Sequence, residues 1–230
     1  MVGTSLSGSG QSAFIWTPEH GLQNIGDVTG GNNEVTGSAI NNSDQITGTL
    51  FHGATISPYL WDPVTGMQDI GDLPTGEHVG YGFGIGNSGL IVGRGNTSQG
   101  DRAFVWSAAI GIQDLGTLPD GFGSYAYSLN DAGKIVGHST VGGAHHAFLW
   151  DAGAGMTDLN SLMGDAASGW VLLEAFDINN NGWIVGRAAN PDGEIQGFLL
   201  MPVPEPHVFW MFGSGLLLVS GVVRWRRGTA

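Results

Sequence analysis

A spacing of about 45 residues runs through most of the chain, and it limits the fold more than any other feature. Tryptophan recurs at positions 16, 61, 106 and 150, inside Ala13-Phe14-Ile15-Trp16, Tyr59-Leu60-Trp61, Ala103-Phe104-Val105-Trp106 and Ala147-Phe148-Leu149-Trp150. A second series ends in glycine at 3, 48, 93, 137 and 186, as in Ile91-Val92-Gly93 and Ile135-Val136-Gly137. Between them fall Gly21-Leu22-Gln23-Asn24-Ile25-Gly26, Gly66-Met67-Gln68-Asp69-Ile70-Gly71, Gly111-Ile112-Gln113-Asp114-Leu115-Gly116 and the looser Gly155-Met156-Thr157-Asp158-Leu159-Asn160. Self-similarity at this period marks stacked or radially arranged supersecondary units.

Each unit holds four apolar segments of four to six residues, rich in Ile, Val, Phe and Trp and bounded by Gly, Asn, Asp or Pro. That is the pattern of strands joined by turns. Leu129-Asn130-Asp131-Ala132-Gly133-Lys134 reads as a hairpin turn in which Gly133 supplies a positive φ, and similar turns are expected at 41–45, 87–90 and 179–183. With 41 glycines, helix interiors are disfavoured by roughly 1 kcal/mol each relative to alanine. Apolar residues at consecutive strand positions require both sheet faces to be covered. The sequence therefore predicts an all-β fold, a truncated β-propeller, in preference to a β-solenoid, whose coils usually repeat at shorter periods. The predicted repeats are 21–62, 66–107, 111–151 and 155–200, preceded by a partial repeat over 1–17. Because Met1-Val2-Gly3 aligns within a repeat, the expectation is that a longer protein begins upstream.

The C-terminal thirty residues have a different composition. Met201 to Pro206 is proline-rich, with a spacer over 202–206. Residues 207–223 lack a formal charge when His207 is neutral, and Arg224, Arg226 and Arg227 follow within a basic tail over 224–230. A helix over 207–223 reaches about 25 Å, enough for a thin bilayer, so one transmembrane helix is predicted. The positive-inside bias places the arginines in the cytoplasm and residues 1–203, with the repeat domain over 1–201, on the far side of the inner membrane.

Two resemblances follow from these residues. Val203-Pro204-Glu205-Pro206, the apolar segment and the terminal arginines resemble a PEP-CTERM sorting signal, with Pro204, Glu205, Pro206, Arg224, Arg226 and Arg227 as its marked positions. That resemblance implies processing by an exosortase, transient residence in the inner membrane of a Gram-negative bacterium, and delivery to the cell surface or extracellular matrix. It also implies an association with exopolysaccharide or biofilm. The repeats resemble the extracellular HAF repeat family through His146-Ala147-Phe148 and the in-phase Asp-Leu-Gly and Ile-Val-Gly segments; the histidine is replaced in Ser12-Ala13-Phe14 and Arg102-Ala103-Phe104. This family implies an exported, non-catalytic surface protein.

Chemical signals are sparse. Residues 1–203 carry four basic and nineteen acidic groups, which repel phosphate backbones and argue against nucleic acid as a partner. Without cysteine there is neither a disulfide scaffold nor a thiolate catalyst. Asp177, Asn179 and Asn181, with Gly182 sixth, imitate the start of a calcium loop, yet the twelfth position is Ala188 where a bidentate Glu belongs. The sister repeats place Ala39, Gly84 and Ser128 at the Asp177 position, so a hairpin turn is the expected role. His138, His145 and His146 cluster without a zinc motif and read as strand residues. Asp69, Asp114 and Asp158 recur as turn-capping groups rather than catalytic carboxylates. Tyr81, Phe83, Tyr125 and Tyr127 are candidates for stacking on sugars from a propeller rim. No catalytic residue, resident metal or cofactor is assigned. The expected function is a structural or adhesive surface protein that contacts polysaccharide, with a carbohydrate- or protein-binding propeller as the alternative. A hydrolase or lyase is the third class.

Overall fold

Short runs of β-branched and aromatic residues between Gly- and Asn-containing turns give antiparallel strands throughout. In a computed structural model, residues 1–7, 10–26, 34–74, 76–164, 168–202 and 218–221 are described. The first sheet holds β1 (Val2–Ser7), β2 (Gly10–Thr17) and β3 (Gly21–Asn24). The second holds β4 (Glu34–Ile40), β5 (Ile46–His52), β6 (Thr55–Asp62) and β7 (Gly66–Asp69), and the third β8 (Gly80–Ile85), β9 (Ile91–Thr97), β10 (Gly100–Ser107) and β11 (Gly111–Asp114). The fourth is formed by β12 (Gly121–Leu129), β13 (Ile135–Val141), β14 (Ala144–Asp151) and β15 (Gly155–Asp158). The fifth is β16 (Val171–Ile178), β17 (Ile184–Ala189), β18 (Ile195–Pro202) and β19 (Leu218–Gly221). Each sheet is an up-and-down meander, and its strands lie in chain order.

The sheets are out of phase with the repeats as predicted. The Gly-x-Gln-Asp strand closes a sheet rather than opening one, so β3 pairs with β2 through Phe14 opposite Asn24, and residues 1–24 form three strands instead of half a unit. Successive sheets pack face to face, and the interfaces between them hold the core. Ile46, Leu50 and Tyr59 are buried together, as are Ile91 with Phe104, and Ile135 with Phe148.

The repeated glycines are explained by the ladders. Gly48, Gly93, Gly137 and Gly186 sit on the second strand of their sheets, and an added Cβ at each would overlap the carbonyl oxygen of Thr36, Tyr81, Tyr125 and Glu174 respectively. On the next strand their cross-strand partners are Tyr59, Phe104, Phe148 and Phe198. The Phe104 ring would lie 2.9 Å from a Cβ on Gly93, and the Phe198 ring 2.6 Å from one on Gly186. Glycine is thus required by close approach from two sides at Gly93, Gly137 and Gly186 and from the carbonyl side at Gly48, and not by a positive φ.

Two expectations are corrected. The sheets form an open series in which each packs on the next, and among the described residues the first and last sheets share no extensive interface, so no closed propeller is present. The transmembrane helix over 207–223 is also not found. Within that span Leu218–Gly221 is strand β19, paired antiparallel with β18 from Leu199↔Gly221 to Pro202↔Leu218. No helix among the described residues is long and apolar enough to cross a membrane. The physical reason is that a short apolar run serves a strand as well as a helix, and here it fills the fourth-strand position that β7, β11 and β15 occupy elsewhere. The remainder of the predicted span, with Pro204, Glu205, Pro206, Arg224, Arg226 and Arg227, lies outside the described residues.

Candidate functional site: an aromatic and imidazole belt

The first strands of four sheets, β4, β8, β12 and β16, pack on one another along the inside of the series. Each carries a register shift at the equivalent place, between Gly37 and Ala39, Gly82 and Gly84, Ala126 and Ser128, and Ala175 and Asp177, and β12 and β16 carry a second, between Gly121 and Gly123 and between Leu172 and Glu174. The residues skipped at the equivalent place are Ser38, Phe83, Tyr127 and Phe176. A bulge of this kind re-aims the extra side chain and bends the strand. Three of these four residues are aromatic and meet in a row, with ring centroids 5.8 Å apart for Phe83 and Tyr127 and 5.9 Å for Tyr127 and Phe176. Tyr81 stacks on Phe83 at 6.3 Å and Tyr125 lies 6.4 Å from Tyr127.

The four sugar-stacking candidates therefore form one surface. Sequence reasoning missed Phe176, 46% exposed, and the polar partners that complete the belt. The missing signal was positional: Thr36, Tyr81, Tyr125 and Glu174 are equivalent, as are their cross-strand neighbours Thr49, Arg94, His138 and Arg187. The Arg94 guanidinium sits 4.3 Å from the centroid of Tyr81 and 4.9 Å from that of Tyr125, a cation–π arrangement, while its Nη1 lies 2.8 Å from Asp101 Oδ2. Tyr125 donates its hydroxyl to the same carboxylate oxygen at 2.6 Å. Burial and that bond push the Tyr125 phenol up to about 12, so it stays a donor near neutral pH.

Imidazoles continue the stack. His138 lies 4.7 Å from Tyr125 and His145 4.0 Å from His138, each pair within 19° of parallel. Burial, aided by neighbouring His145, lowers the His138 pKa to about 4, so the ring is neutral near pH 7. His145 Nδ1 is 2.7 Å from Glu174 Oε1, and Arg187 donates to the same oxygen at 2.8 Å. Burial works to raise the Glu174 pKa; the bonds from Arg187 and His145 outweigh it and hold the carboxyl below its usual range. These groups line a cleft of about 510 Å³ bounded by Asp101, Phe122, Tyr125, Tyr127, His138, Thr140, His145 and Glu174.

The histidine cluster predicted from sequence is split. His145 and His146 point to opposite faces of β14, as successive strand residues must. His146 Nδ1 instead lies 2.8 Å from Asp158 Oδ2, away from the belt. Asp69, Asp114 and Asp158 accept backbone N–H groups two residues ahead, at 2.8 Å from Gly71, 2.7 Å from Gly116 and 2.8 Å from Asn160, which is the turn-capping geometry.

The suspected calcium loop is a hairpin turn. Asn179 Oδ1 accepts the N–H groups of Asn181 and Trp183, and Asp177 Oδ1 accepts the Ser128 hydroxyl at 2.6 Å and the Ile178 N–H. Asn130 caps its own turn in the same way, accepting from Ala132 and Lys134. The turns also bond to each other across sheets: Asn42 N–H to Asn87, Asn87 to Asp131, and Asp131 N–H to Asn180. A ring of linked turns results at one end of the inner strands, around a shallow hollow of about 320 Å³.

No protein-family model matches this sequence, and no curated protein matches it. Among solved structures the chain is similar to TolB from Acinetobacter baumannii, with a TM-score of 0.59 at 13% identity over 86% of this chain and 49% of that one. The chain thus spans about half the length of that structure. The likeness concerns fold, and it agrees with a β-rich, propeller-like repeat protein.

Proposed function

We propose that the chain is a non-catalytic, exported repeat protein that binds polysaccharide through the belt of Tyr81, Phe83, Tyr125, Tyr127 and Phe176. One observation carries the reading: an unbroken aromatic row runs along residues that bulge out of their ladders, and its members Tyr125 and Tyr127 line an open cleft. Aromatic faces suit the apolar face of a pyranose ring, and Asp101, Thr140 and Glu174 offer polar partners for its hydroxyl groups. The acidic excess outside the C-terminal tail supports a neutral polymer over a nucleic acid.

A glycan array probed with the purified chain tests this. Reproducible binding of a polysaccharide class is expected, and Tyr125→Ala should abolish it while circular dichroism stays unchanged. Failure to bind any neutral or acidic polysaccharide would remove the reading. Export and exosortase processing are supported by Pro204, Glu205, Pro206 and the terminal arginines alone. Intact-mass measurement of the protein recovered from the producing cell tests that part: loss of the residues beyond Pro206, which would leave the fifth sheet with three strands, is expected, and a full-length chain confined to the cytosol rejects it.

A further inference from the structure

We infer that His138, His145 and Glu174 form a binding site for one divalent transition metal of the zinc type. One ligand atom from each lies within 4.8 Å of the other two. The three come from β13, β14 and β16, so the ladders of two sheets fix their separation. His138 is 3% exposed, and its Nδ1 is buried without a hydrogen-bond partner. Such an atom is disfavoured in a folded interior, and this imidazole is short of partners in a way that coordination would relieve.

The donor set selects the metal. Two imidazoles and one carboxylate suit zinc, whereas calcium and magnesium favour oxygen ligands throughout. Both hydrogen bonds to Glu174 end on Oε1, which leaves Oε2 to ligate. Tetrahedral zinc with bonds of about 2.1 Å needs ligand atoms about 3.4 Å apart, so separations of up to 4.8 Å must tighten by up to about 1.4 Å. The near-parallel rings of His138 and His145 must also open so that their lone pairs converge. His145, with a side chain 41% exposed, is the arm able to turn. Three protein ligands leave a fourth position toward the cleft for water or a ligand oxygen. This site goes beyond polysaccharide binding and does not depend on it.

The test is calorimetric titration of zinc chloride into the untagged, chelator-stripped full chain, repeated with His145→Ala, Glu174→Gln and His146→Ala. One zinc per chain is expected. Affinity should fall at least about 100-fold in the first two variants, since loss of a ligand exceeds the 10–100-fold effect of an outer-shell partner. His146→Ala, whose ring is bonded to Asp158, should bind as the parent does. Should Glu174→Gln fail to fold because Arg187 loses its partner, His145→Ala decides alone. Absence of stoichiometric zinc, or equal uptake by parent and His145→Ala, overturns the inference. Zinc uptake without any glycan binding sustains it and counts only against the polysaccharide reading.

Discussion

The ring of hairpin turns and the aromatic belt lie on the same four inner strands, yet they use repetition in opposite ways. In the ring, three of the four equivalent positions hold the same chemistry: Asn41, Asn130 and Asn179 each accept two backbone N–H groups of their own turn, and only the third sheet departs, with Gly86 closing its hairpin through the backbone. In the belt, equivalent positions differ, with Thr36, Tyr81, Tyr125 and Glu174 facing Thr49, Arg94, His138 and Arg187. A need shared by every sheet, such as closing a hairpin, recurs with the period. A cleft that contacts one ligand has a different demand at each point around it, so identical residues would serve it poorly.

The sharpest test falls where the two regions share a backbone. Gly137→Ala drives a methyl group into the Tyr125 carbonyl, so it should destabilise the chain by about 2–3 kcal/mol in urea unfolding and also weaken glycan binding. Asn130→Ala removes the acceptor for Ala132 and Lys134 and the donor to the Asn179 carbonyl. It should lower stability by about 1–2 kcal/mol and leave glycan affinity unchanged, and a loss of binding at equal fold content would break the contrast between ring and belt. Phe176→Ala should do the reverse, reducing glycan affinity by about tenfold with a stability change below about 1 kcal/mol, because the ring is 46% exposed.

The smallest effect concerns a repeated turn carboxylate outside both regions. Backbone N–H groups of Ala154 and Gly153 hold the Asp151 carboxyl below its usual range. A carboxyl lowered on folding contributes stability above its unfolded pKa of about 3.9 and loses it as pH falls through the lower folded value. Asp151→Asn should therefore flatten the acid limb of the stability curve while leaving the belt untouched, measured by urea midpoints across the acid range.

The scaffold was legible because its requirements recur. The Ile-Val-Gly glycines and the Phe of Ala-Phe-x-Trp are cross-strand partners, and the two series share a period because each glycine faces one of those rings. Tryptophan misled in part: Trp106 is 5% exposed but Trp16 is 40% exposed, so its recurrence does not mark one uniform core position. Tyr81, Phe83, Tyr125 and Tyr127 could be proposed for ligand contact as aromatic residues that a propeller rim would expose. Arg94, His138 and Glu174 could not be added to them, since their juxtaposition depends on which strands neighbour each other. The phase error had the same origin, because a hairpin and a crossing to the next sheet both begin with a turn. Strand β19 was misread because four residues, Leu218-Val219-Ser220-Gly221, within a longer uncharged and largely apolar run carry no periodicity that separates strand from helix.

The looped-out residue in each inner strand adds no rung to its ladder, so sheet cohesion places little demand on what it carries. Ser38 occupies in the second sheet the place that Phe83, Tyr127 and Phe176 hold in the others. A serine there has simply left one quarter of the inner wall without a ring. Ligand preference in such a molecule can diverge one sheet at a time, at a cost in cohesion small enough for the scaffold to persist unchanged beneath it.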